Sequence, residues 1–186
     1  MEALDRHARR RFTAQDVMGM VEQGILAEEE PIELLYGDLY AMSPRGPRHA
    51  WITSWFADRL RDALPGYVIR EEKPLIVDEV NLPEPDIVAV RLSAEVLRTR
   101  HPKASEALLI VEVAATSQPR DRAKAALYAA AGVPRCWLVD LAANRVEVFT
   151  EPLAEGRYAS VRVLGADATL DLPDDRGALP IAELMR

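Results

Sequence analysis

Cysteine is nearly absent: the 186 residues contain one, Cys136. No internal disulfide can form, and the setting Arg135-Cys136-Trp137-Leu138-Val139 reads as a small buried hydrophobe in a reducing compartment. Apolar runs are short as well. None approaches the length of about 18 residues that a membrane span requires, and the opening Met1-Glu2-Ala3-Leu4-Asp5-Arg6 is charged rather than basic-then-apolar. A cytoplasmic protein with no membrane partner is expected. Histidine is limited to His7, His49 and His101, which together with one cysteine exclude a closed zinc site of familiar spacing. No G-x-G-x-x-G or Walker-type loop occurs, which argues against nucleotide-driven chemistry. No G-x-S-x-G surrounds Ser117, so this serine reads as a helix cap rather than a nucleophile. Lysine is the most telling scarcity. Of 23 basic residues only Lys73, Lys103 and Lys124 are lysine, so each merits individual inspection.

What is present is an ordinary globular composition, 49% hydrophobic and 28% charged, expected to form a single domain over residues 1–186. Residues 1–12 carry Arg6, Arg9, Arg10 and Arg11 and read either as a mobile basic arm or as a solvated, frayed terminus. The net charge of −7 argues against indiscriminate binding to nucleic acid or anionic membrane. It does not argue against a nuclease, because carboxylates that hold a divalent ion count as negative until the ion binds.

Along the chain, Thr13-Ala14-Gln15-Asp16 resembles a capping box and opens a short amphipathic helix that Gly24 stops. Ile32–Tyr36 and Leu39–Met42 read as a hairpin about Gly37-Asp38. From Arg48 to Leu64, Ile52, Phe56, Leu60 and Leu64 recur every four positions, with Trp51 and Trp55 alongside. This predicts a helix whose aromatics serve as core or as a dimer interface. Tyr67–Val77 and Asp86–Val90 read as strands, separated by a loop that Pro83 and Pro85 keep non-helical. Glu106–Ala114 is the candidate central strand, since an apolar run of this kind suits burial on both faces. Pro119 opens a helix through Ala131, closed by Gly132 and Pro134, and Arg135–Asp140, Arg145–Thr150 and Tyr158–Leu164 read as further strands. A parallel strand-helix-strand crossover follows between Glu106 and Asp140. The fold class is α/β (α+β): a mixed central sheet flanked by helices, with an N-terminal helix and a β-hairpin.

One residue breaks the apolar pattern. Glu112 lies inside Leu-Leu-Ile-Val-Glu-Val-Ala, where a lone ionised carboxylate would be costly to bury. Asp86 opens another apolar strand, and if the two strands are neighbours the acids converge; otherwise both face water at strand ends. Convergent carboxylates need a proton or a cation between them, and hard oxygen ligands suit Mg²⁺ or Mn²⁺.

Pro85-Asp86, then Glu112-Val113 in an apolar strand, then Ser117, Asp121, Lys124, Tyr128 and Gly132-Val133 leading into Trp137-Leu138-Val139-Asp140, form an ordered series. With Glu33–Leu39, Met42-Ser43-Pro44 and His49 upstream, this series resembles the Uma-type family of the PD-(D/E)XK nuclease superfamily. The likeness runs over roughly residues 13–165. It implies a restriction-endonuclease-like fold with a mixed sheet of four or five strands. The usual signature places a lysine two residues after the acid, on the same strand face; here that position is Ala114. Asp121, Lys124 and Tyr128 share one face of the next helix, and the resemblance suggests that the lysine has moved there.

The implied chemistry is Mg²⁺- or Mn²⁺-dependent hydrolysis of a DNA phosphodiester. Asp86, Glu112 and the backbone carbonyl of Val113 would hold the ion, while Lys124 would orient water or offset charge on the phosphate. Glu33 either completes the metal shell or is a solvent-facing strand residue. His49 contacts a phosphate or protonates the leaving oxygen, or else caps a helix or faces solvent. Analogy of fold implies a homodimer on duplex DNA. Two other readings stay open: a catalytically silent nucleic-acid-binding or assembly module, favoured by Ala114, and a carboxylate-pair hydrolase acting on another substrate such as a glycan.

Overall fold

A computed structural model of the chain describes residues 10–115 and 118–184. His7 and most of the expected basic arm lie outside the described residues, as does Ser117. Helix α1 (Ala14–Glu22) begins at the expected capping box, in which the Thr13 hydroxyl accepts from the Asp16 N–H and the Asp16 carboxylate accepts from the Thr13 N–H. It packs Ala14 and Val17 on Leu34 and Leu82. Leu34 belongs to the hairpin of β1 (Ile32–Leu35) and β2 (Asp38–Ala41). The hairpin turns at Tyr36-Gly37, both with positive φ, the twist-matched geometry of a two-residue loop. A side chain at Gly37 would also collide with Arg11, whose Cβ lies 2.5 Å from where a Cβ would stand.

Helix α2 (Pro47–Ala63) follows, then β3 (Val68–Glu71), β4 (Ile87–Val90), the short α3 (Ala94–Leu97) and β5 (Ala107–Ala114). Next come α4 (Gln118–Ala130), β6 (Arg135–Asp140), β7 (Arg145–Leu153) and β8 (Arg157–Gly165), and a last pair of β9 (Thr169–Asp171) and β10 (Ala178–Pro180). Strands β3 to β8 form one sheet in chain order. All neighbours are antiparallel except β5 and β6, which run parallel as the α4 crossover requires. The sheet has six strands, not the four or five implied by the resemblance.

Period-two alternation sorts the sheet's side chains between two helices. Ile87, Ala89, Leu109, Val111, Val113, Trp137 and Val139 face α2, where Ile52, Phe56 and Leu60 have no exposed surface. Val88, Val90, Ile110 and Cys136 face α4, meeting Ala125, Tyr128 and Ala129. Burial of each large side chain stabilises the fold by roughly 1.5–3 kcal/mol, so the two helices are clamped to opposite faces.

Three details depart from or refine the sequence reading. The strand expected over Tyr67–Val77 ends at Glu71, because Glu72 takes φ 50 and Pro74 follows shortly after. Trp55 and Phe56 are core, whereas Trp51 is 52% exposed at the margin of the apolar arc centred on Ile52 and Phe56, which excludes core for Trp51 and leaves the interface alternative. The pair β9 and β10, each of three residues, is too short to leave a periodic signal.

Candidate metal and active site

The register of β4 and β5 pairs Ile87 with Val111, and continuing it by one step sets Asp86 opposite Glu112. By alternation both residues belong to the α4 side, at the end of the sheet where β4 begins and β5 finishes. Pro85 stops the ladder there. The N–H of Val113 donates instead to the Asp86 carboxylate, at 2.7 Å, and the Asp86 carbonyl accepts from the Glu72 N–H at 3.2 Å. Asp86 is thus fixed by the backbones of both adjoining strands. Its carboxylate and that of Glu112 line one cleft of about 390 Å³, together with Glu33, Glu84, His49 and Lys124.

Glu112 is buried, and its neighbours account for the anomaly seen in the sequence. Lys124 Nζ donates to it at 3.0 Å and the Tyr128 hydroxyl at 2.6 Å. Lys124 also donates to Glu33 at 3.0 Å and stands 3.9 Å from Asp121. The lysine on α4 therefore reaches the acid on the strand, over the position where Ala114 has no amine to offer. Glu33 accepts in addition from the Glu84 N–H at 3.1 Å, which ties the hairpin to the loop before Asp86.

His49 comes from the opposite helix. It sits in the first turn of α2, where Nε2 lies 3.2 Å from Asp86 Oδ2 while Thr53 Oγ1 is 3.5 Å from Nδ1. Arg45, in the irregular segment before α2, bridges two acids: Nε is 3.0 Å from Glu72 and Nη2 is 3.3 Å from Asp86. Every site residue named from the sequence lines this one cleft.

The electrostatics divide the acids. Burial alone would push Asp86 upward, yet the hydrogen bond and charge of His49, the Lys124 ammonium and the Val113 N–H outweigh it and hold the carboxyl below its ordinary value. Burial pushes Glu112 up to about 8, with the Asp86, Asp121 and Glu33 charges adding to the rise and Lys124 opposing it. Burial and the nearby Glu33 likewise raise Glu84 to about 7. Burial would lower Lys124, but the surrounding carboxylates, Glu112 first, reverse this and keep the ammonium charged. Carboxylates outnumber cations here, which is the condition that favours a bound dication.

Among the described residues, one group of His, Asp and Glu side chains offers three ligand atoms all within 4.8 Å of one another: His49, Glu72 and Asp86. Two carboxylates and an imidazole suit a small divalent ion. Glu72, Arg45 and Glu84 were not among the residues singled out from the sequence. Counting the β3–β4 register one step past Glu71 and Ile87 would have set Glu72 beside Asp86, but only once those strands were known to pair.

A sheet clasped between two helices, with an acid-lined cleft at one end, defines a nuclease-like fold. The structure superposes with a TM-score of 0.69 on a putative nuclease belonging to DUF820 from Anabaena variabilis, at 17% identity, over 89% of this chain and 96% of that one. Residues 21–179 match the model of the Uma2 family, described as "Putative restriction endonuclease", and the chain belongs to that family. No match to the chain was found among curated proteins. Among the described residues no helix is long and apolar enough to cross a membrane.

Proposed function

We propose that this protein is a divalent-metal-dependent endonuclease that hydrolyses DNA phosphodiester bonds. The observation that carries the reading is the meeting of Asp86, Glu112 and Lys124 in one cleft, from two strands and a helix. Asp86, Glu112 and the Val113 carbonyl would hold Mg²⁺ or Mn²⁺, with Glu72 and His49 within reach of the Asp86 side of the ion. The ion would supply a water of lowered pKa and would polarise the scissile phosphate.

The remaining work falls to side chains. Lys124 acts as a fixed charge rather than a base, because its carboxylate neighbours hold its proton. Its ammonium steadies Glu112 and offsets charge that develops on the phosphate. Glu33 anchors Lys124 from the far side. The ionised Asp86 accepts from His49 Nε2, so His49 orients that carboxylate and is placed to pass a proton to a leaving oxygen. The protein works as a single domain in the cytoplasm, and as a homodimer on duplex DNA, one copy for each strand.

The reading is tested by incubating supercoiled plasmid with the purified protein in Mn²⁺ or Mg²⁺, beside Asp86→Ala and Glu112→Gln. Metal-dependent nicking that both substitutions abolish is expected. A DNA complex that forms without nicking in either metal would favour the silent module that Ala114 suggests.

A further inference from the structure

Arg45 stands where a cation is expected. Its guanidinium contacts Glu72 at 3.0 Å and Asp86 at 3.3 Å, and these are two of the three side chains whose ligand atoms gather within 4.8 Å. Arg45 therefore neutralises the same oxygens that a dication would take. Two positive charges cannot share those oxygens at such range without strong repulsion, so the arginine and the ion exclude one another. The backbone permits exchange. Residues 42–46 form no helix or strand, and the Arg45 side chain keeps 27% of its surface in solvent. By contrast Lys124, with 5% exposed, is held by three acids and has no such freedom.

We propose that Arg45 is a counter-ion exchanged for metal: it holds Glu72 and Asp86 until a divalent ion arrives, then releases them and turns its guanidinium to the substrate phosphate. A freed guanidinium at the cleft mouth matches a phosphate through two parallel hydrogen bonds, which a metal-bound carboxylate pair no longer competes for. Arg120, at the start of α4, lines the same cleft and would offer the phosphate a second guanidinium. This proposal rests on the metal reading given above and adds that metal loading and phosphate binding are coupled through one side chain.

Calorimetric titration with Mn²⁺ and binding of an uncleaved duplex in Ca²⁺ or EDTA test it, on the parent chain, Arg45→Ala and Arg45→Lys. Arg45→Ala is expected to bind Mn²⁺ about tenfold more tightly, since its competitor is gone. It should bind duplex more weakly in Ca²⁺, with a salt slope smaller by about 1, and unchanged in EDTA, where the parent's Arg45 is engaged by the acids. Arg45→Lys, which keeps the charge, should stay close to the parent in Mn²⁺ affinity and guards against a loop that misfolds on truncation. Equal or weaker Mn²⁺ binding by Arg45→Ala overturns the exchange while leaving the nuclease reading intact. Failure of Mn²⁺ to bind the parent and both variants would overturn both at once.

Discussion

The cleft has two halves that solve the same problem differently. On the α4 side, Lys124 is sealed among Glu33, Glu112 and Asp121, with side chains at most 7% exposed. Near the irregular segment before α2, Arg45 spans Glu72 and Asp86, with Arg45 and Glu72 in partial contact with water. Desolvation makes the first arrangement permanent: once buried, neither the ammonium nor its acids can be left without the other. Solvent makes the second replaceable, because water can carry Arg45 and Glu72 when the contact opens, while the buried Asp86 keeps the Val113 N–H and His49. One charge cluster is thus locked in by burial, while the other meets solvent at Arg45 and Glu72.

Substitutions that treat the halves alike should expose this difference. Lys124→Met leaves Glu33 and Glu112 buried without their cation and should cost about 3–5 kcal/mol of stability, read by denaturant unfolding. Adding Glu112→Gln to Lys124→Met should recover part of that loss, and no recovery would mean that the charge balance is not what holds this half together. Tyr128→Phe removes a buried hydrogen bond to Glu112 and, above about pH 8 where that acid is ionised, should cost about 1.5–3 kcal/mol in the same measurement.

The pH dependence is comparable in size to the Lys124→Met loss. Glu112 is raised from its ordinary value to about 8, so between about pH 4.5 and 8 the folded chain binds more protons than the unfolded one. Stability attributable to Glu112 must then fall as pH rises through that window, by at most about 1.4 kcal/mol per unit, and level off above it. Melting in EDTA should show the fall in the parent and not in Glu112→Gln; a rise with pH in the parent relative to that variant would contradict it. Smallest of all, Arg45→Ala should change stability in EDTA by less than about 1 kcal/mol. A loss matching that of Lys124→Met would erase the distinction between the halves.

Much of the fold could be read locally. The Thr13 capping box, the Gly37 turn, the four-residue recurrence along α2 and the apolar run of β5 each carry a short-range signal, and each element forms where that signal lies. Lys124 was legible because lysine is rare here and because its spacing from Asp121 and Tyr128 fixes one helical face. For Trp51 the sequence left core and interface both open, because an apolar residue one position from the centre of a buried arc looks the same in sequence whether it turns inward or out. Glu72 and Arg45 left no local mark: what makes them notable is that β3 pairs with β4 and that the segment before α2 passes over that pair. A cross-strand neighbour becomes visible only after the register is known.

The long reach of Lys124 has a consequence for how the protein comes into being. Its ammonium meets Glu33 across 91 residues of chain and Glu112 across only 12, from β5 to the middle of the crossover helix. Closing the longer loop is an entropic cost met late, when α4 docks on the sheet. A chain still emerging from the ribosome carries the scattered acids but not the lysine that gathers them, so the charge cluster comes into being only once α4 has been made and seated.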